Sequence, residues 1–194
     1  MSFFKKLFGK SSDEASGIEK QEVKLSLDDL FVHNFVSKGG KFLYCIQKQE
    51  VKQNLNKILL ENNWNELSIL DHELLPFVNQ KQVSITDKTH VSAPVFTTCE
   101  HLIADNGDIL FSSNQLSSLK LPAYSDHFIV FATTSQIVKN TGQGLTGIKS
   151  HSKGSLPTNI SAIKNYQIHK SDDSFLNYGN TNSKNLYLLL LENL

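Results

Sequence analysis

Residues 41–70 read KFLYCIQKQEVKQNLNKILLENNWNELSIL, and the changes of period along this stretch decide the fold class. Lys41 to Ile46 is short, apolar and aromatic, which is strand composition. Lys48 to Asn62 then sets Val51, Leu55, Ile58 and Leu59 three and four residues apart, the spacing of one helix face. Leu67 to Leu70 reads as a strand again, and Asp71 leads into a short helix that Pro76 delays or breaks. Strand, helix and strand in this order imply a βαβ unit on a mainly parallel sheet.

Working outward from it, Ser26 is placed to cap a helix with Asp28 and Asp29 in its first turn, where the helix dipole favours anions, and Gly39-Gly40 stops it. On the C-terminal side, Glu100 to Ala104 and Ile109 to Ser112 flank Asp105-Asn106-Gly107, and this turn chemistry predicts a β-hairpin. His127 to Ala132 reads as a buried strand, and Ser135 to about Lys149 as a polar helix or helix plus loop weakened by Gly142, Gly144 and Gly147. Leu156 to Ile163 is a further strand, Asn165 to Ser183 a polar loop, and Leu186 to Leu191 a closing sheet-core strand. Phe42, Tyr44, Ile69, Ile129, Phe131, Leu188 and Leu190 are the expected core of the sheet. No internal repeat of solenoid length is present.

With 194 residues, 39% of them hydrophobic and 20% charged, the chain suits one ordinary globular domain. All 19 basic residues are lysines. Arginine is the usual bidentate donor to phosphate and guanine, so its absence argues against nucleic acid as a partner. Cys45 and Cys99 are far apart and lack a CxxC partner, which excludes a thiolate zinc or iron–sulfur site built from them alone and fits a reducing, cytoplasmic setting. The seven histidines never fall at metal-ligand spacing, so no metal site and no cofactor are expected.

Residues 1–22 form an expected tail ahead of a domain over residues 23–194. Met1 to Lys10 places Phe3, Phe4, Leu7 and Phe8 on one helical face and Lys5 and Lys6 on the other. Such a segment could lie on an anionic membrane surface, although a terminus that docks on its own domain or stays unstructured is the commoner outcome.

Three motifs between Thr98 and Ile163 stand in a telling order. Ala104-Asp105-Asn106-Gly107-Asp108 forms a turn, Ser135-Gln136-Ile137-Val138 is expected to open a helix, and Pro157-Thr158-Asn159-Ile160-Ser161 to begin a strand. In order and spacing they resemble the LUD domain of bacterial lactate-utilisation proteins, the likeness extending loosely over Phe35 to Leu191. The resemblance implies a three-layer α/β/α fold similar to the sugar-phosphate isomerase and CoA-transferase superfamily. The chain departs from the family pattern at Asn106 and Asp108, where small hydroxyl residues are usual. It departs again after the last motif, where Lys164 to His169 replaces a Gly-Pro-Ser-rich segment.

The candidate ligand-binding set is Thr98, Glu100, Asp105, Gly107, Asp108, Thr158 and Asn159. Glu100, Asp105 and Asp108 put three carboxylates on and beside one hairpin, which could hold a cation or supply a base. Against this, Asp105 can serve the turn backbone, Gly107 can supply positive φ, and Asn159 can bond its own strand start. The run Thr141 to Gly147 is glycine-rich but lacks the Lys-Ser/Thr of a phosphate loop, and is expected to be a surface loop. Cys99 is expected to be a buried inert thiol. Two functions follow: a non-catalytic or regulatory module binding a small anionic metabolite or a partner protein, or an accessory subunit of an L-lactate oxidation complex whose partner carries the redox cofactor.

Overall fold

The computed structural model describes residues 25–86, 93–117, 119–152, 156–168 and 182–193. The expected tail and most of the polar loop before the last strand lie outside these residues. In chain order the elements are α1 (Leu27–Ser37), β1 (Lys41–Cys45), α2 (Lys48–Glu61), β2 (Glu66–Ile69), a 3-10 helix (His72–Phe77), β3 (Ser84–Thr86), β4 (Val95–Thr98), β5 (His101–Ile103), β6 (Asp108–Ser112), α3 (Ser113–Leu116), β7 (His127–Thr133), β8 (Ile137–Val138), α4 (Thr141–His151), β9 (Ile160–Ile163) and β10 (Asn185–Leu191).

Six strands form a parallel sheet in the order β1-β10-β7-β4-β2-β3, the α/β arrangement that the βαβ reading predicts. The central strands are apolar on both faces, and their alternation divides the core. Phe128, Val130, Leu186, Leu188 and Val95 join one cluster, while Ile129, Leu189 and Phe96 join the other. The second face is covered by α2, through the predicted stripe of Val51, Leu55, Ile58 and Leu59, together with Leu74 of the 3-10 helix. The first is covered by Phe31 and Phe35 of α1 and by a second sheet.

This second sheet contains the predicted hairpin, with His101 opposite Leu110 and Ile103 opposite Asp108. Its four strands run in the order β8-β5-β6-β9. Ile137 and Val138 therefore do not open a helix; they pair in parallel with Leu102 and Ile103, and the helix starts only at Thr141. The glycine-rich run is likewise helix rather than surface loop. Asn140 caps it by accepting from the Gln143 N–H at 3.0 Å, and Gly144 and Gly147 let α4 press close to Ile103, Leu110 and His101.

Three further departures have local causes. β3 and β4 were not expected as strands, because VFTT is short and follows a proline; β4 nevertheless lies at the centre of the sheet with Val95 and Phe96 fully buried. The Leu156 to Ile163 strand begins only at Ile160. In the expected core, Ile69, Ile129, Leu188 and Leu190 are buried, whereas Phe42 and Tyr44 are half-buried because β1 is an edge strand paired only with β10. Phe131 is half-buried as well, at the carboxyl half of β7.

Candidate functional site

The hairpin set does not assemble. Asp105 is exposed, and its carboxylate has no hydrogen-bond partner among the described residues. The turn bond expected of Asp105 is instead made by Asn106, whose Oδ1 accepts from the Asp108 N–H at 3.0 Å. Gly107, at φ +70, donates its N–H to the Ile103 carbonyl at 2.7 Å and lies directly under α1. Its carbonyl accepts from the buried Tyr166 hydroxyl at 2.6 Å.

Asp108 is 4% exposed and accepts from Lys38 Nζ at 2.9 Å, so its charge is paired. Antiparallel register places Glu100 at the far end of β6, where Oε1 accepts from the Ser112 hydroxyl, from Asn114 Nδ2 at 3.2 Å and from Gln115 Nε2 at 3.1 Å. Thr158 and Asn159 meet the same turn through backbone alone: the Thr158 N–H donates to Ser113 Oγ at 3.1 Å, and the Asn159 carbonyl accepts from the Ser113 N–H at 3.0 Å. Glu100, Thr158 and Asn159 thus brace the start of α3, and Asp108 anchors α1. Among the described residues no group of three His, Cys, Asp or Glu side chains could hold a metal ion. Cys99 is buried, and burial with the neighbouring Glu100 carboxylate pushes its thiol pKa far up, holding it protonated.

Thr98 lies elsewhere, in a crevice at the carboxyl edge of the parallel sheet. β2 and β4 are neighbours, but the chain leaves them on opposite faces: after β2 it passes below α2, and after β4 it enters the small sheet. Such a change of side opens a gap beyond the strand ends, the usual binding place in open α/β sheets. Thr98 Oγ1 donates to Asp71 Oδ2 at 3.0 Å across this gap, and Asp71 also caps the 3-10 helix by accepting from the Glu73 N–H at 2.9 Å.

The cavity here measures about 410 Å³. Lys48, Gln49 and Lys52 line one side, and Leu74, Phe77 and Phe131 the other, with Glu73 and Pro76 at the wall. Lys48 and Lys52 are one helical turn apart on α2, so both reach the same space. Gln47 gives the α2 N-terminus no side-chain cap, and Glu50 in its first turn reaches back to accept from the Ile46 N–H at 2.7 Å. Neither ammonium has a hydrogen-bond or ion-pair partner among the described residues. Phe131 lies in central strand β7 yet stays half-buried, because its free side forms the cavity wall with Phe77, ring centroids 5.1 Å apart.

Behind the crevice, Gln136 ties two strand ends together. Its Nε2 donates to the Cys99 carbonyl at 2.6 Å, while its Oε1 accepts from the Thr133 N–H at 2.8 Å. Of the predicted set only Thr98 lines this cavity. The lysines and phenylalanines were missed, because no local pattern in the sequence brings α2, the 3-10 helix and β7 together.

This geometry defines an open α/β protein with a switch-point crevice and an added four-stranded sheet. No family model matches the chain, and no curated protein matches it. Among solved structures the fold is similar to the 1.70 Å crystal structure of a DUF162 family protein from Deinococcus radiodurans, with a TM-score of 0.63 at 15% identity, over 87% of this chain and 99% of that one. DUF162 denotes the LUD domain family, so the likeness supports a LUD-like fold. Among the described residues no helix is long and apolar enough to cross a membrane.

Proposed function

We propose that this chain is a LUD-like binding or regulatory module that takes a small anionic metabolite in the carboxyl-edge crevice. The observation that carries this reading is the pair Lys48 and Lys52, unpartnered among the described residues and facing a cavity of about 410 Å³ at the switch point. An anion there would meet two cationic side chains, Lys48 exposed and Lys52 half-buried, each contact worth up to about 1 kcal/mol at such solvent access. The hairpin carboxylates take no part, since each is either exposed or committed to the fold.

A thermal-shift screen of the full chain against organic acids, sugar phosphates and CoA esters tests the reading. A ligand at about 100 times its Kd stabilises the folded state by about 2.7 kcal/mol. At least one anion is expected to raise the Tm, and the double substitution Lys48→Gln with Lys52→Gln should abolish that rise while Asp105→Asn leaves it intact. A shift that survives loss of both lysines would place the anion site elsewhere.

A further inference from the structure

The geometry points to a ligand class for this crevice: a monocarboxylate carrying a flat apolar body. The inference rests on the reading above that the crevice binds an anion, and it adds which anion.

Three features of the wall select for it. The cationic side is compact, with Lys48 and Lys52 one turn apart on a single helix, and suits one carboxylate group rather than an extended polyanion. Phe77 and Phe131, also in the lining, stand with ring centroids 5.1 Å apart and planes tilted by 39°, a packed aromatic pair that borders the cavity. Rings this close already touch, so a planar ligand would not pass between them but would stack on, or meet edge-on, the part of the pair that borders the cavity.

Phe131 is the informative residue, because β7 is paired on both sides, by β10 and β4, and Ile129 on the same face is fully buried while Phe131 is not. Phe131 packs against the core cluster of the α2 face, and the part of its ring left open borders the cavity. The third feature is Glu73, the one carboxylate among the lining residues. It would repel a second negative group on the ligand, which disfavours di- and tricarboxylates and phosphate esters.

Isothermal titration calorimetry of the full chain with 3-phenylpropanoate, propanoate, succinate and inorganic phosphate decides the matter. The expected result is that 3-phenylpropanoate binds about tenfold or more tightly than propanoate, with succinate and phosphate weaker still. Phe131→Leu, which keeps the apolar volume and so the fold, should remove most of that advantage, and Lys52→Gln should weaken both monocarboxylates alike. Equal affinity for propanoate and 3-phenylpropanoate, or an unchanged ratio in Phe131→Leu, overturns the aromatic class while leaving an anion site standing. Tight binding of succinate or phosphate overturns it in the same way. If none of the four anions binds and the wider screen finds no lysine-dependent ligand, both this inference and the proposed function fail together.

Discussion

Three successive substitutions in one turn separate structure from function at the hairpin. In Gly107→Ala, the new Cβ would stand 2.5 Å from the Phe35 backbone nitrogen and 2.6 Å from the Asn34 carbonyl carbon, and both belong to α1 rather than to flexible side chains. The residue also sits at φ +70, which costs a non-glycine residue about 1–2 kcal/mol. Backing α1 away from the turn would loosen the fully buried Phe31 and Phe35, and overpacking of this kind costs about 1–3 kcal/mol. Together these give an expected loss of about 2–5 kcal/mol. Asn106→Ala removes the single bond to the Asp108 N–H and should cost about 0.5–1.5 kcal/mol. Asp105→Ala, which removes an exposed carboxylate, should stay within about 0.5 kcal/mol of the parent. Urea unfolding followed by far-UV circular dichroism, with m-values checked for constancy, measures all three. A cost for Asp105→Ala equal to or above that of Asn106→Ala would refute the assignment of the turn bond to Asn106.

Other predictions follow from groups outside the crevice. Lys41 Nζ donates to Asn185 Oδ1 at 2.8 Å, so the Asn185 amide turns its N–H toward His127 Nδ1 at 3.0 Å and requires that nitrogen to be an unprotonated acceptor. Burial lowers the His127 pKa, with Lys41 and Lys184 acting in the same sense and Asp126 opposing. Stability is therefore full above about pH 6.5, the unfolded value, and falls as pH drops toward the lower folded pKa. Trp64, the single tryptophan, stands 5.1 Å from the His127 ring, and its fluorescence in the folded protein should titrate with a midpoint below 6.5. A midpoint above that value would contradict the burial argument. The Lys38 to Asp108 pair is next: Lys38→Met leaves a buried carboxylate without its counter-ion and should cost about 1–3 kcal/mol, more than Lys38→Met combined with Asp108→Asn, as a double-mutant cycle would show. Finally, Cys45 and Cys99 are both buried with raised thiol pKa values, so neither should react with a disulfide reagent in native buffer, and both should react in denaturant. Rapid native labelling of Cys99 would show that its strand end opens.

Local chemistry encodes several parts of this protein directly. The stripe of Val51, Leu55, Ile58 and Leu59 specified α2 and its buried face, and Ser26 does cap α1, its Oγ accepting from the Asp29 N–H at 3.2 Å. The Asn-Gly turn specified the hairpin. Parallel strands followed from the βαβ order, because a helix between two strands carries the chain back to the starting edge. Tertiary structure alone decided which strand meets which. Ile137-Val138 has a helix-like context but pairs with β5, since two residues carry too little period to declare a partner. Gly144 and Gly147 look like a loop by propensity, yet form helix where close packing on Leu110 and His101 rewards the missing side chains. The hairpin carboxylates are close in sequence and apart in space, because the register that pairs Ile103 with Asp108 sends Glu100 to the other end of β6. Lys48, Lys52, Phe77 and Phe131 are scattered over more than 80 positions and meet because α2, the 3-10 helix and the Phe131 side of β7 pack on one face of the sheet, a consequence of tertiary packing that no local pattern records.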